Sequence, residues 1–359
     1  MRLVVLGLSI TSSWGNGHAT TYRALLSALN ELGCDILFLE RDLPWYAANR
    51  DAPNLPFCRI ELYQDREDLR LRFGETIRSA DAVLVGSYVP DGVAVGELVN
   101  ATAEGVTAFY DIDTPVTLAK LQRGDDEYLS RKLIRKYNVY FSFTGGPILD
   151  QLERKYGSPA ARPLYCSADD RFYYPESLPE RWALGYLGTY SPDRQNGVEQ
   201  FLIAPALCLP LQEFVAAGPS YPKTISWPPN VRRIDHLPPD QHRKFYCAQK
   251  FTLNLTRADM RRAGYSPSVR LFEAAACGVP IISDRWDGIE TFFNDRREIL
   301  LVRSTREVVQ LLRELPDQER EMIGARAREK VMREHSAKRR AEEFLASLAE
   351  AKKQFRAIA

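Results

Sequence analysis

Short apolar runs alternate with amphipathic segments from the first residues of the chain onward. Residues 2–9 form one apolar run, residues 19–32 follow with helical spacing, and residues 34–40 form a second run. A buried strand, a helix and another buried strand within about 40 residues are typical of the opening of a doubly wound parallel sheet. Further strands of this sheet are predicted at residues 82–86, 107–110 and 139–143.

A second set of apolar runs follows a connecting segment rich in proline, tyrosine and aspartate. Strands are predicted there at residues 183–190, 212–217, 231–237, 251–255, 279–283 and 299–302. The sequence after about residue 304 is helical, and its last helix is long enough to return from the second domain to the first. We therefore predict an α/β fold with two Rossmann-like doubly wound domains facing each other across a cleft. The predicted domains are residues 1–165 with the crossing helix 337–359, a linker at 166–182, and residues 183–336.

Length and charge limit the classes of protein to which the chain can belong. The chain has 359 residues and a formal net charge of +1, so it suits two cores and has no overall field for nucleic acid or membranes. The first apolar run is too short for a signal peptide or a membrane span. Six scattered cysteines without CxxC spacing predict reduced thiols, and with them a cytoplasmic protein.

One segment of the second half, residues 266–284, combines a helix start, a carboxylate and a strand. Ser266 suits the N-cap and Pro267 the first helical position, so the free N–H groups of that turn would face an anion such as phosphate. Glu273 follows in an apolar helix and needs a hydrogen-bonding partner, which the hydroxyls of a ribose would supply. The alternative is an ordinary packed helix in which Glu273 pairs with Arg270.

Loops after the strands are where ligands bind in open α/β sheets. Residues 256–265 carry Arg257, Arg261 and Arg262 just before the predicted helix start. Arginines pair with phosphate oxygens and would stabilise a departing diphosphate, unless this is simply a solvated basic loop. The loop after an earlier strand adds Gly188, Thr189 and Arg194.

The first domain offers a histidine and two carboxylates. His18 ends a loop with two glycines, a position where a histidine is ordinarily a cap or a surface residue. Asp111 and Asp113 end a later strand, and a carboxylate near a histidine can fix its tautomer and raise its basicity. These carboxylates could also bind a divalent metal, or Asp113 or Thr114 could cap the helix predicted from Pro115.

Several function classes lack their motifs. Neither GxGxxG nor GxxxxGK[ST] follows a strand, and no GxSxG is present, which disfavours dinucleotide oxidoreductases, P-loop ATPases and α/β-hydrolases. Residues 41–57 contain Trp45 and Tyr46, which could stack on a sugar. We expect them to pack on the sheet instead.

Three stretches resemble a known family. Residues 253–260 continuing into 266–278, the loop 15–18 and residues 111–115 resemble glycosyltransferases of the GT-B fold, and among them the CgeB-like proteins of the group-one type. The resemblance extends over nearly the whole chain. It implies transfer of a sugar from a nucleoside-diphosphate sugar, with UDP or dTDP as the expected nucleotide, without a bound metal or further cofactor.

The resemblance also implies which residues hold the donor. In related enzymes two glutamates eight positions apart line the donor site and the second binds ribose. Glu273 matches the second, whereas Tyr265 stands where the first would be. Arg257 or a neighbouring arginine would clamp the diphosphate, and residues 236–238 would lie against the nucleobase. The remaining donor-site residues implied are Gly17, Gly188, Thr189, Arg194, His236, Leu237, Arg261, Ser266, Ser268 and Val269.

Two stereochemical mechanisms stay open. An inverting enzyme needs a base for the acceptor hydroxyl, and His18 backed by Asp111 resembles the pair found in inverting members. In a retaining enzyme the departing phosphate receives that proton, which leaves arginines such as Arg257 as the catalytic groups. The rival functions are a nucleotide-sugar 2-epimerase and a noncatalytic sugar-nucleotide-binding protein. The acceptor, whether glycan, lipid-linked sugar, protein or small molecule, stays open, and nucleic acid is not expected.

Overall fold

The structure is a computed structural model that describes residues 1–358, with side chains described for residues 1–354. The chain forms two compact units. One contains Met1–Tyr165 and the residues from Ala337 onward, and the other contains Cys166–Ser336. Residues 166–182, predicted as a linker, fall in the second unit.

The first unit is built on a seven-stranded parallel sheet with the order β3-β2-β1-β4-β5-β6-β7. Its central strands are buried along almost their whole length, which explains their continuous apolar sequences, since parallel sheets are covered on both faces. The strands are β1 (Arg2–Gly7), β2 (Asp35–Arg41), β3 (Arg59–Tyr63), β4 (Ala82–Gly86), β5 (Val106–Asp111), β6 (Val139–Ser142) and β7 (Ala161–Pro163).

The helices of this unit connect consecutive strands. Helix α1 begins where Asn16 accepts a hydrogen bond from the backbone N–H of His18, so this cap fixes the position of the first predicted site residue. The helices are α1 (Gly17–Glu31), α2 (Pro44–Ala47), α3 (Arg66–Ser79), α4 (Gly92–Thr102), α5 (Thr114–Gln122), α6 (Arg131–Ile134) and α7 (Pro147–Arg154).

The second unit is built on a six-stranded parallel sheet with the order β10-β9-β8-β11-β12-β13. Its strands are β8 (Trp182–Leu187), β9 (Phe214–Ala217), β10 (Val231–Ile234), β11 (Gln249–Asn254), β12 (Ile281–Ser283) and β13 (Leu300–Leu301). Since β8 lies at the centre and its neighbours β9 and β11 leave in opposite directions, the carboxyl ends of these three strands mark the switch point of this sheet, where ligands bind in such folds.

Helices cover this sheet as well, and the predicted class, α/β with two doubly wound parallel sheets, is confirmed. The helices are α8 (Pro192–Val198), α9 (Ala204–Cys208), α10 (Pro239–Cys247), α11 (Ala258–Ala263), α12 (Val269–Ala276), α13 (Thr305–Glu314) and α14 (Asp317–Glu334), with a π-helical turn at Glu199–Ile203 and a 3-10 helix at Ile289–Thr291. The last helix, α15 (Ala337–Ile358), packs within the first unit, where Phe344 contacts Phe141 with ring centroids 5.0 Å apart. Residue 359, the end of the predicted crossing helix, lies outside the described residues.

Helix α12 begins later than predicted. Ser268, not Ser266, occupies its N-cap position, and Pro267 precedes the helix. The Ser266 hydroxyl donates instead to the Met260 sulfur at 3.1 Å. Residues 258–263, predicted as a loop, form α11, and Tyr265 follows it with a positive φ of 48°. Because Tyr265 has a left-handed backbone conformation, the chain cannot be helical there, and α12 begins only after it.

Candidate functional site

The loop between β1 and α1 is held from below by Glu40, a fully buried residue of β2. Its carboxylate accepts four hydrogen bonds from the loop. The donors are the Ser9 hydroxyl at 2.9 Å, the Ile10 N–H at 2.7 Å, and the Thr11 N–H and hydroxyl at 3.1 and 2.6 Å. A buried carboxylate is stable only when its oxygens are satisfied, so Glu40 and this loop conformation depend on each other.

His18 follows this loop, in the first turn of α1, and only 9% of it is exposed. Its ring meets the ring of Tyr88 edge to face, with centroids 5.3 Å apart. The Nδ1 atom is buried and has no hydrogen-bond partner among the described residues. Burial lowers the pKa of His18, although the negative charge of Asp113 acts in the opposite direction. The imidazole is therefore neutral at pH 7 and able to accept a proton.

Asp111 does not support His18, and this part of the prediction is wrong. The Asp111 carboxylate is fully buried and accepts hydrogen bonds from the Thr117 hydroxyl at 2.8 Å and from the Tyr140 hydroxyl. Burial raises the pKa of Asp111 to about 7, although these two hydrogen bonds lower it. The side chain is thus a buried structural group at the end of β5.

Asp113 is the carboxylate that acts on His18. It stands at the N-cap position of α5, as one of the sequence alternatives proposed, but makes no capping hydrogen bond through its side chain. Its Oδ2 accepts from the Tyr88 hydroxyl at 3.2 Å, and Tyr88 in turn contacts the His18 ring. Tyr88 has a positive φ of 63°, a conformation that is uncommon for a bulky residue and is often retained at functional sites.

The expectation that Trp45 packs on the sheet is wrong. Trp45 lies on α2 and is 62% exposed, and Trp14 on the β1–α1 loop is 38% exposed, while Tyr46 is half-buried. The β1–α1 loop and the segment after α2 are joined, since the Ser12 hydroxyl donates to the carbonyl of Asn49 at 2.7 Å. Both indoles therefore stand on segments that follow the carboxyl ends of strands of the first sheet.

In the second unit, the feature that the sequence did not reveal is Arg270. It lies in the first turn of α12 and only 7% of it is exposed. Its guanidinium donates to the carbonyl of Leu187 at 2.5 Å and to Asn254 Oδ1 at 2.8 Å, and it lies 4.9 Å from the centroid of the Tyr186 ring. No carboxylate of the described residues forms an ion pair with it. The predicted alternative, a pair between Arg270 and Glu273, is therefore wrong.

Asn254 organises the start of α12. Its Oδ1 accepts from both Arg270 and the Ser268 hydroxyl, the latter at 2.7 Å, and its Nδ2 donates to the Ser283 hydroxyl at 2.9 Å. The ends of β11 and β12 are thereby joined to the N-cap of α12. Ser268 and Val269, two of the predicted phosphate-site residues, are half-buried at this helix start. Free N–H groups of the first turn and a buried cation meet at one place.

Glycines bring backbone close to the Arg270 guanidinium. A Cβ atom at Gly188 would lie 2.9 Å from Arg270 Nη2 and 2.7 Å from the Tyr186 hydroxyl. A Cβ atom at Gly218, whose φ is +139°, would overlap the carbonyl of Gly188. Arg194, which lies on α8, donates to the carbonyl of Thr189 at 2.5 Å and so contacts the loop after β8.

The three arginines predicted to converge before α12 interact with three different carboxylates in the structure. Arg262 forms an ion pair with Asp259 and is largely exposed. Arg261 is exposed, and its positive charge lowers the pKa of the buried Asp284. Burial has the larger effect and raises this pKa to about 6. Arg257 is half-buried at the N-cap of α11, and its positive charge helps to lower the pKa of Asp193.

Glu273 is buried, with 3% of it exposed. The hydroxyl of Tyr246 donates to Glu273 Oε2 at 3.0 Å, and His242 Nδ1 lies 4.0 Å from the same oxygen. Leu237, predicted to lie near a nucleobase, accepts a hydrogen bond through its carbonyl from His242 Nε2 at 3.2 Å. The neighbouring His236 is exposed.

Two further predicted site residues, Tyr265 and Gly17, have surroundings that give no sign of a ligand. Tyr265, where the resemblance expects a glutamate, is half-buried, its N–H donates to the carbonyl of Asp287 at 2.7 Å, and its ring covers Gly288. Gly17 is exposed at the start of α1, and a Cβ atom there would meet nothing within 4 Å. No cluster of three potential metal-ligating side chains occurs among residues with described side chains.

The thiols of Cys247 and Cys277 form a hydrogen bond, a pairing that their spacing in the sequence did not suggest. All six cysteines are free, as predicted. The hydrogen bond from Cys277 lowers the pKa of Cys247, whereas it raises the pKa of Cys277. Burial raises the pKa of the half-buried Cys58 to about 12. The two half-buried thiols, Cys247 and Cys58, thus have pKa values that are shifted in opposite directions.

We expect Cys247 to be alkylated by iodoacetamide at a lower pH than Cys58, because the thiolate is the reacting form. Peptide mass spectrometry of samples quenched between pH 6 and 9 measures both sites in one experiment. Cys277→Ala removes the hydrogen bond and should move the Cys247 profile to higher pH. Equal profiles for Cys247 and Cys58 in the unmodified chain would contradict this expectation.

Comparisons with known proteins agree with this arrangement. Residues 194–346 match the family model described as glycosyl transferase-like. A sucrose-phosphate synthase from Thermosynechococcus elongatus superposes with a TM-score of 0.68 at 15% identity, covering 100% of both chains. HepE of Anabaena in complex with UDP and glucose gives 0.72 at 11% identity, covering 98% of this chain and 100% of the other. An alpha-glucosyltransferase in complex with UDP gives 0.69 at 10% identity, covering 97% and 100%.

A comparison with curated protein sequences finds no match. In the part of the chain that the structure describes, no helix has the length and apolar character needed to cross a membrane. The solved structures establish the fold, and the family model independently covers the segment that contains Asn254, Arg270 and Glu273. Together these findings show that the chain has the fold of GT-B glycosyltransferases and that its residues 194–346 are similar to a glycosyl transferase-like domain.

Proposed function

We propose that the second unit binds a nucleoside-diphosphate sugar and that the enzyme transfers its sugar to a hydroxyl of an acceptor bound by the first unit. The observation that carries this proposal is the Arg270 guanidinium. A buried cation without an anionic partner is costly, whereas a bound diphosphate would supply two negative charges beside it. Its place at the start of α12, next to two glycines that allow close approach, fits a diphosphate.

The same groups would assist the chemical step. Negative charge grows on the diphosphate as its bond to the sugar breaks, and both the Arg270 guanidinium and the N–H groups of α12 stabilise that charge. Asn254 holds the guanidinium in place, so little reorganisation is needed during the reaction. Glu273 remains our candidate for the ribose, and Arg257 for a second contact to the diphosphate.

The first unit would supply the acceptor side. In an inverting reaction, neutral His18 accepts the proton of the acceptor hydroxyl, and the negative charge of Asp113 stabilises the imidazolium that forms. In a retaining reaction, a phosphate oxygen of the donor accepts that proton. The two exposed indoles lie on segments at the same end of this sheet, where an acceptor would contact them.

UDP is our first choice for the donor nucleotide. It is supported by HepE and the alpha-glucosyltransferase, whose structures were both solved with UDP. A dTDP-linked donor is the alternative, because both nucleotides carry the same diphosphate. We also propose a CgeB-like subtype, a cytoplasmic location and catalysis without a metal. Loss of activity on adding EDTA would contradict the last point.

Thermal-shift measurements with UDP, dTDP, GDP, ADP and their glucose conjugates would test the donor site, since a ligand stabilises the folded state according to its occupancy. Product analysis by mass spectrometry would then test the reaction. Transfer that depends on an added acceptor supports the proposal. An altered sugar nucleotide formed without acceptor would indicate the epimerase, and binding with neither transfer nor donor hydrolysis would indicate a noncatalytic binding protein.

We expect Arg270→Met to weaken binding of the selected nucleoside diphosphate by about tenfold or more, because a hydrogen-bonded charge pair is lost. Isothermal titration calorimetry measures this directly. Arg313→Met, which removes a charge from the far end of α13, is the control and should bind the nucleotide as the unmodified protein does. Equal affinity in both variants would place the diphosphate elsewhere.

A further inference from the structure

Two thiols meet where α10 and α12 end. Cys247 is the last residue of α10, Cys277 occupies the C-cap position of α12, and these two helices pack against each other. The thiol of Cys277 donates a hydrogen bond to the sulfur of Cys247. The two sulfur atoms therefore lie close together, as a disulfide bond between them requires.

Each hydrogen of this thiol pair has its own acceptor. The Cys247 thiol donates to the carbonyl of Tyr174 at 3.7 Å, while the hydrogen of Cys277 goes to the Cys247 sulfur. That sulfur also accepts a hydrogen bond from the backbone N–H of Glu176. When Cys247 loses its proton, the Cys277 thiol and the Glu176 N–H remain as donors and stabilise the negative charge of the thiolate.

The neighbouring thiol, and not a nearby cation, is the main reason that Cys247 ionises readily. The hydrogen bond from Cys277 has the largest effect and lowers the pKa of Cys247, whereas burial raises it. Arg243 and Glu176 form an ion pair at 2.9 Å beside this thiol, and their charges act on its pKa in opposite directions. The reactivity of Cys247 therefore depends on its partner thiol.

The two thiols differ in their access to solvent. Cys247 is half-buried, whereas only 4% of Cys277 is exposed. The hydrogen bond to Cys247, together with burial, raises the pKa of Cys277, so this second thiol keeps its proton. An accessible thiol that ionises readily, placed beside a protected thiol, is typical of cysteine pairs that react with oxidants.

We infer that Cys247 and Cys277 form a redox site at which a hydroperoxide converts the two thiols into a disulfide. The Cys247 thiolate attacks the peroxide, so that an S–O bond forms and the O–O bond breaks. The departing oxygen takes up the proton that Cys247 lost and leaves as an alcohol, or as water when the oxidant is hydrogen peroxide. Cys247 is now a sulfenic acid.

The second step uses Cys277. Its sulfur attacks the sulfur of the sulfenic acid, so that the S–S bond forms and the S–O bond breaks, and the leaving hydroxide takes the Cys277 proton to become water. The two thiols together lose two electrons, which the peroxide gains. This site does not involve the proposed donor chemistry, so the purified protein can be tested without any substrate.

The test exposes the fully reduced, folded protein to hydrogen peroxide at pH 7.5, blocks the remaining thiols with N-ethylmaleimide and maps the peptides without reduction by mass spectrometry. We expect a linked pair of peptides containing Cys247 and Cys277, lighter by two hydrogen atoms and separated again by dithiothreitol. Cys247 should be consumed about tenfold or more faster than Cys58, the half-buried thiol whose pKa burial raises.

Variants separate the two roles. In Cys277→Ala, Cys247 has no thiol to react with, so its sulfenic acid should be trapped by dimedone and should form more slowly than in the unmodified chain. In Cys247→Ser, the buried Cys277 should stay reduced. Cys208→Ser removes an exposed thiol on α9 and should form the disulfide at the rate of the unmodified protein.

Measurements on the unmodified protein decide the outcome even if a variant folds poorly. The inference is overturned if Cys247 and Cys58 are consumed at equal rates, or if Cys247 is oxidised without becoming linked to Cys277. A link from Cys247 to any other cysteine would overturn it as well. Circular dichroism of the oxidised sample verifies that the link forms in the folded protein.

Discussion

We expect His18→Ala to lower kcat by about 10²- to 10⁴-fold at saturating donor and acceptor, the range that a positioned general base contributes. Three observations support this expectation. The Asn16 cap fixes the backbone of His18 and Tyr88 contacts its ring, burial lowers the pKa of His18 so that it is neutral at pH 7, and Asp113 can stabilise the imidazolium. Initial rates of product formation by mass spectrometry measure the effect.

The pH dependence gives an independent check. A base must be neutral, so kcat/KM should fall as the pH drops through the lowered pKa of His18, which lies below its usual value of 6.5. Asp113→Asn removes the charge that raises this pKa, so the acid limb should move to still lower pH while kcat decreases. Asp111→Asn is the matched comparison, because Asp111 makes no hydrogen bond with His18 in the described structure, and its limb should stay in place.

An unchanged kcat in His18→Ala would exclude His18 as the base and favour the retaining mechanism, in which a phosphate oxygen of the donor accepts the proton. In that case, only donor-site variants such as Arg270→Met should lower kcat strongly. The two stereochemical mechanisms are thereby separated without knowledge of the acceptor, provided that any acceptor supports measurable turnover.

The sequence predicted the central strands well because strands covered on both faces are continuous apolar runs. It missed β3 and β7 for a physical reason. The sequence Arg-Ile-Glu-Leu-Tyr of β3 alternates polar and apolar side chains at a sheet edge, and β7 has only three residues, one of them Pro163. Edge strands are less buried, so their sequences carry a weaker signal.

Side-chain pairing was harder to predict than the elements. Arg270 stands three residues before Glu273, a spacing that favours an ion pair on an isolated helix. In the structure Asn254 and the carbonyl of Leu187 bind the guanidinium, while Tyr246 binds the carboxylate. These partners come from distant parts of the chain. The available signal was a single arginine in an otherwise apolar helix, which indicates a buried cation but not its partner.

A similar limit applies to the two carboxylates near the end of β5. Asp111 and Asp113 are two residues apart, so their spacing alone favours neither as the neighbour of His18. The strand ends at Asp111, which stays among buried hydroxyls, and the helix begins directly after Asp113. Which carboxylate acts on the histidine depends on that turn, and no sequence pattern distinguished the two.

We expect Glu40→Gln to lower the free energy of unfolding by about 2–4 kcal/mol, one of the largest effects of a single conservative change in this chain. The carboxylate accepts two backbone N–H groups and two hydroxyls, whereas the amide offers one oxygen and places its own N–H₂ group against donors of the loop. At least one buried donor therefore loses its partner. Urea denaturation followed by circular dichroism measures the change.

Glu61→Gln is the matched control, because Glu61 lies on the neighbouring strand β3 in a surface ion pair with Arg72, and its loss should cost less than about 1 kcal/mol. Native-state hydrogen exchange would localise the effect of Glu40→Gln, since the amides of Ile10 and Thr11 should exchange faster while those of β4 should change only through global unfolding. Because the same loop leads into His18, kcat should fall together with this protection. Unchanged exchange at Ile10 and Thr11 would show that Glu40 does not hold the loop.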